Sequence, residues 1–334
     1  MEHRKKKVGW CGTILILLLI LAFLIVSLAA YAYNNILGKI NRVDGTEETL
    51  SQEQIDAIEN ETDPWEEGYE EHDGVLDENA DLIAQGDHII NILLIGQDRR
   101  PGETRARSDS MILCTIDTEK KTLVMTSFLR DLYVDIPDWN GRTYQDNRLN
   151  ACYAFGGMGM LDLALEKNFG IQVDHNLEVD FSGFSEIINI FGGVTVNLTK
   201  AEADYMGQGL KEGSNFLTPD QALVYSRIRY LDSDFGRTNR QRNVLTALFN
   251  SIKTMNADQL TQLINKILPM MTTDMTNGDI TGYMVKLLPI LPELEISTQY
   301  IPASGAYKSC YVRGMAVLVP DMEANRAILR DTLG

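Results

Sequence analysis

Between Val8 and Gly38 the chain carries no charged residue, and the middle of that run reads TILILLLILAFLIVSLAAYAY. A stretch this long and apolar exceeds the ~20 residues that a helix needs to span a bilayer. It divides the chain into a cytoplasmic head (1–7), a transmembrane anchor (8–34) and all that follows. Arg4, Lys5, Lys6 and Lys7 precede the run and an acidic stretch follows it. Basic flanks stay on the cytoplasmic side, so the remainder of the chain is expected outside the cell membrane. Ala30-Tyr31-Ala32 has the form of a signal-peptide cleavage site. The apolar run, however, is longer than the ~7–15 residues of a signal peptide's core, which favours a retained anchor.

The formal net charge of −17 is unevenly spread. Seventeen Asp and Glu and no Lys or Arg lie between Asp44 and Asp87, so residues 35–87 are expected to form an acidic spacer extended by self-repulsion, with LSQEQIDAIEN as a short helix inside it. From residue 88 to 334 there are 24 bases against 29 acids, a net of −5. A nearly balanced domain disfavours a nucleic-acid partner, which selects for a basic surface.

The pattern over 88–334 predicts a single α/β domain: a central mixed β-sheet with helices on both faces. HIINILLIGQD reads as a strand covered on both sides and ending in a turn at Gly96. MILCTID and TLVMTSF read as an antiparallel pair joined at TEKK. RLNACYAFGGMGMLDLALEKNFG reads as a helix interrupted at Gly156-Gly157 and stopped at Gly170. NLEVDF, SGFSEIINIFGG and VTVNL give strand, helix and strand, with Ser182 as cap and Gly192 as stop, and Thr218-Pro219 with Gln221 opens a further helix.

SRIRYLDSDFGRTNRQR places Arg227, Arg229, Arg237, Arg240 and Arg242 within seventeen positions. On a helix, Arg237 and Gln241 prolong the stripe of Val244, Leu248 and Ile252, so Arg237 is expected on an inward face, where it needs an anion. Arg242 falls on the outer face and is expected in water. If the chain is extended at Arg227 and Arg229, both guanidiniums point to one side, an arrangement suited to a phosphate or diphosphate. Internal pairing with Asp232, Asp234 or Glu side chains would explain these arginines equally well. Asp98 directly follows a strand and Asp109 sits beside Arg107 just before the next one. Two carboxylates without a His or Cys set suit a hard cation that also binds phosphate oxygens.

NILLIGQD, RSDSMILCTID, SFLRDLYVDIP, RLNACYAFGG, VDFSGFSEIINIFGGVTVNL and LTPDQALVYSRIRYLDSDFGRTNRQRNVL resemble, in order and spacing over about 89–255, the LytR-CpsA-Psr family of cell-wall glycopolymer transferases. The resemblance implies transfer of a glycopolymer, such as teichoic acid or capsule, from a polyprenyl-pyrophosphate-linked donor to a peptidoglycan hydroxyl, with Mg²⁺ (or Mn²⁺) on the diphosphate. Hydrolysis of the same donor, or lipid-phosphate binding without turnover, are the alternatives. Asp98 and Asp109 match the family's metal-linked aspartates, and Arg107 the arginine between them. Arg130 matches the arginine of a PRD-like motif in which Leu129 replaces proline. Arg148 stands where lysine is common, and Arg227, Arg229, Arg237 and Gln241 match the remaining diphosphate-binding positions.

Cys114, Cys152 and Cys310 are too few for a disulfide framework. A single Cys152–Cys310 bridge is possible outside the cell. His3, His72, His88 and His175 stand singly, and none reads as catalytic.

Overall fold

The computed structural model describes residues 37–43, 50–76, 80–97, 107–228, 231–232 and 234–333. The expected membrane anchor, residues 8–34, lies outside these. Among the described residues no helix is long and apolar enough to cross a membrane.

The described elements run from strand β1 (Asn41–Arg42) through helix α1 (Gln52–Glu59), β2 (Glu70–Glu71), β3 (Ile89–Gln97), β4 (Ser108–Asp117), β5 (Thr122–Phe128), β6 (Tyr133–Val134) and β7 (Asn147–Arg148). They continue with α2 (Leu149–Phe169), β8 (His175–Asp180), α3 (Phe181–Phe191), β9 (Val194–Leu198), α4 (Lys200–Met206), β10 (Gly213–Leu217), α5 (Pro219–Arg227) and α6 (Asp234–Ile252). The C-terminal part adds α7 (Ala257–Ile267), β11 (Met271–Thr273), α8 (Asn277–Leu287), β12 (Glu295–Ile301), β13 (Tyr307–Val312), β14 (Met315–Pro320) and α9 (Met322–Leu333).

The central sheet runs β1-β11-β8-β3-β4-β5-β12 and is mixed: β3 lies parallel to β8 and β5 to β12, whereas β4 is antiparallel to both its neighbours. Alternation along the strands sends Leu93, Ile95, Met111 and Leu113 to one face, against α2 and α9, and Ile90, Ile112, Cys114 and Met125 to the other, against Phe249, Tyr283 and Leu287. The expected α/β layering with helices on both faces is what forms.

Local signals behave as their chemistry requires. The α2 backbone is broken at Gly156-Gly157, where Gly157 has φ +63° and ψ −150°, a conformation closed to residues with a Cβ. Helix α5 opens on the Thr218 capping box with Pro219 in its first turn. Helix α3 is capped by Asp180, whose carboxylate accepts from the Gly183 N–H, and not by Ser182. Arg227 is the last residue of α5, so the extended geometry expected around it does not occur there.

Three further expectations are corrected. The acidic segment is no free spacer over 50–76. Helix α1 forms behind its Ser51 capping box and buries Ile55 in the main core, and β2 pairs in parallel with β13. Cys152 and Cys310 are buried free thiols in different core clusters, so no bridge joins them. Arg242 is 2% exposed, not solvated. Tyr300 of β12 covers that flank of α6, with the guanidinium 5.5 Å from its ring centre. Burial lowers the Arg242 pKa to about 10.

Asp162 of α2 is held in the interior by the Asn176 side chain, which donates to Oδ2 at 2.7 Å. Burial, reinforced by the charge of Asp274, lifts its carboxyl to about 7. A raised folded-state pKa contributes stability that is complete below the unfolded value near ~3.9 and is lost as pH rises through the folded value. Asp162→Asn is therefore expected to melt above the wild type at pH 8.5, by a margin worth on the order of 4 kcal/mol, and to lose that margin by pH 4.5. Melting curves across this range test it; a difference independent of pH would contradict it.

Candidate active site

The edges of four elements meet over a cavity of about 970 Å³. Strands β4 and β5 are antiparallel with Met111 opposite Phe128. Two residues before Met111 and two after Phe128, Asp109 and Arg130 face one another, with Nη1 of Arg130 donating to Oδ1 of Asp109 at 2.9 Å. The start of α6 supplies Asp234, which lies 3.8 Å from Nε of Arg130 and pairs with Nη2 of Arg237 at 2.6 Å. Strand β7, just before α2, supplies Arg148, whose Nε stands 3.8 Å from Oδ1 of Asp131.

The docked acidic segment completes the wall. Oε2 of Glu61 lies 2.5 Å from Nη1 of Arg107 and 3.2 Å from Nη1 of Arg148, so one oxygen bridges two guanidiniums. Asp63 also pairs with Arg148 and accepts from the Ala316 N–H at 2.9 Å. Arg148 further donates to the Ala316 carbonyl from Nε and Nη2. The result is an alternating charge network running Arg107, Glu61, Arg148, Asp131, Arg130, Asp234 and Arg237, with Asp63 and Asp109 as branches.

Within that network Asp131 has its pKa raised, first by burial and then by the charge of Asp234, while Arg130 and Arg148 pull it down. The pKa of Arg130 is also raised: burial works against its charge, but Asp131, Asp234 and Asp109 outweigh it. Arg130 Nε is buried and has no hydrogen-bond partner among the described residues.

Of the residues expected in a site, Arg107, Asp109, Arg130 and Arg148 line the cavity together. Arg237 is buried, as its helical face requires, and reaches the cavity through Asp234. Gln241 lies one turn further along α6, with its buried Oε1 unpartnered among the described residues. Arg227 is exposed and is not among the cavity-lining residues. Asp98 and Arg229 lie outside the described residues. The internal pairing considered for the arginine cluster is realised by Arg240, which donates to Glu202 at 2.7 Å, Asp232 at 2.5 Å and the Ile228 carbonyl at 3.0 Å. It is a structural tie between α4, α6 and the preceding loop.

Asp131, Glu61 and Asp63 are site residues that the sequence reading does not single out. For Asp131 a signal exists, since it completes the Leu129-Arg130-Asp131 motif. For Glu61 and Asp63 there is none, because they sit in a segment that reads as a spacer.

The LytR_cpsA_psr family model matches residues 48–331, the docked acidic segment included. The chain belongs to that family. The polyisoprenyl-teichoic acid–peptidoglycan teichoic acid transferase TagU of Bacillus mycoides is 37% identical over 161 residues, covering 48% of this chain and 51% of that protein. Regulatory protein MsrR of Staphylococcus aureus is 35% identical over 167 residues, covering 49% of each. The chain thus spans about half the length of these relatives. Among solved structures of the family, B. subtilis TagV matches with a TM-score of 0.60 at 26% identity, over 74% of this chain and 96% of that one. TagT bound to LIIa-WTA matches with a TM-score of 0.58 at 25% identity, over 77% and 97%.

Proposed function

We propose that this family member is a membrane-anchored phosphotransferase, held by residues 8–34 with its domain outside the cell. It moves a glycopolymer from a polyprenyl-pyrophosphate carrier onto a peptidoglycan hydroxyl. The observation that carries this reading is the bank of guanidiniums from Arg107, Arg130 and Arg148 along a cavity of about 970 Å³, with Asp109 among them. Clustered guanidiniums of this kind suit the oxygens of a diphosphate. The names of the relatives point to the same donor and acceptor classes.

Asp109 fits a divalent cation. It faces the cavity, and only Oδ1 is engaged, by Arg130, among the described residues. Mg²⁺ is commonly held by one or two carboxylates together with phosphate oxygens and waters. When bound there with Asp98, it would supply charge neutralisation of the diphosphate.

In the proposed reaction the acceptor hydroxyl attacks the glycan-side phosphorus, an O–P bond forms, the bond to the bridging oxygen breaks and polyprenyl phosphate leaves. Asp131 takes the hydroxyl proton: it lines the cavity, and its raised pKa makes it a stronger base than an ordinary carboxylate. Arg130 and Arg107 meet the charge that grows on the phosphoryl oxygens.

The test uses the full chain in detergent with a polyprenyl-pyrophosphate oligosaccharide, a peptidoglycan oligomer and Mg²⁺, read by mass spectrometry. A phosphodiester-linked product, lost in Asp109→Ala and Arg107→Ala, is expected. Free glycan phosphate as the sole product with acceptor present would make the protein a hydrolase instead.

A further inference from the structure

Arg107 and Arg148 are the two cavity guanidiniums whose partners come from the acidic segment. Those partners differ in how they are held. Asp63 is fixed at both backbone and side chain: its N–H donates to the Gly314 carbonyl at 2.9 Å and its carboxylate accepts from the Ala316 N–H at 2.9 Å. Glu61 has no such anchor among the described residues. There its carboxylate touches only Arg107 and Arg148, and its side chain is 36% exposed. The loop that carries it is pinned on both sides, by Ile55 of α1 in the core and by β2 on β13. Pro64 and Glu66 are also tied to the Tyr311 hydroxyl. Glu61 can therefore leave the guanidiniums by side-chain rotation while the segment stays docked.

We propose that Glu61 is a built-in competitor of the donor's diphosphate, its Oε2 occupying the place between Arg107 and Arg148 that a phosphate oxygen takes when donor binds. This rests on the reading of the cavity as the diphosphate site. A diphosphate outcompetes a single carboxylate because it brings more charge and more acceptor oxygens to the same forks. Without donor, Glu61 keeps the two cations from repelling each other and from recruiting other anions. Asp63 remains as the permanent partner of Arg148 in both states. Glu61 is thereby a determinant of donor affinity and selectivity that touches no reacting atom.

Isothermal titration of the full chain in detergent with inorganic pyrophosphate tests the proposal. Glu61→Gln removes the competing charge and is expected to bind pyrophosphate about tenfold more tightly, with a lower donor KM and little change in kcat. Glu61→Asp, which keeps the charge, stays near the wild type. Asp63→Asn serves as the control for loosening of the segment and is expected to bind no more tightly than the wild type. Equal or weaker binding by Glu61→Gln would overturn the proposal, as would equal tightening by Glu61→Gln and Asp63→Asn. Pyrophosphate binding by none of these proteins would remove the diphosphate reading of the cavity itself, whereas binding without the Glu61 effect removes only the competitor.

Discussion

Arg130→Ala is expected to lower kcat/KM for the proposed transfer by about 10³-fold, the scale seen when a preorganised donor to developing charge is deleted. Arg130 is the hub of the site: Asp109 lies 2.9 Å, Asp131 3.4 Å and Asp234 3.8 Å from its guanidinium. Its Nε is buried between Asp131 and Asp234, which hold the guanidinium in place at the cavity wall. Removing the guanidinium leaves three carboxylates facing one another, which a diphosphate would then have to approach. Arg130→Lys restores the charge but not the planar fork, so it should recover only part of the loss. Single-turnover transfer measured on folded protein, with a melting curve for each variant, separates this effect from instability. A folded Arg130→Ala protein retaining a tenth of wild-type activity would remove Arg130 from the chemistry.

The second large effect concerns the N-terminal boundary of the domain. A chain beginning at residue 88 discards Ile55, which is 4% exposed in the core, the β2 strand and both acidic-segment carboxylates on Arg148. Arg148 has a side-chain exposure of 8% and would keep only Asp131 and the Ala316 carbonyl; taking the pairing carboxylates from a buried charge costs up to about 3–5 kcal/mol. For a domain of this size that corresponds to a fall in Tm of roughly 6–20 °C, before the lost apolar burial is counted. A chain beginning at residue 48 keeps all of these contacts. Thermal melts of the two chains side by side decide the matter; values within about 2 °C, small against the loss foreseen here, would mean that the segment only rests on the surface.

Periodicity and capping chemistry make the elements legible along the chain itself. The alternation in β3 to β5, the break at Gly156-Gly157 and the Thr218 capping box are local properties, set by neighbours within a few residues. The inward position of Arg237 follows from the same arithmetic, because it lies on the stripe of Val244 and Leu248. The same arithmetic fails for Arg242. A helical wheel knows the angle of a side chain but not that Tyr300, almost sixty positions later, will cover it.

What the sequence by itself determined, then, was the α/β class, the family, and the antiparallel pairing of β4 with β5. Only the tertiary structure decided how the charges are shared. Arg240 was drawn to Glu202 and Asp232, Arg148 to Glu61 and Asp63, and Cys152 and Cys310 into separate cores. The physical reason is range: hydrophobic period and turn chemistry act along the chain, whereas an ion pair depends only on distance in space. A run of acids reads as a repelling spacer until a bank of guanidiniums, at Arg107 and Arg148, is folded against it.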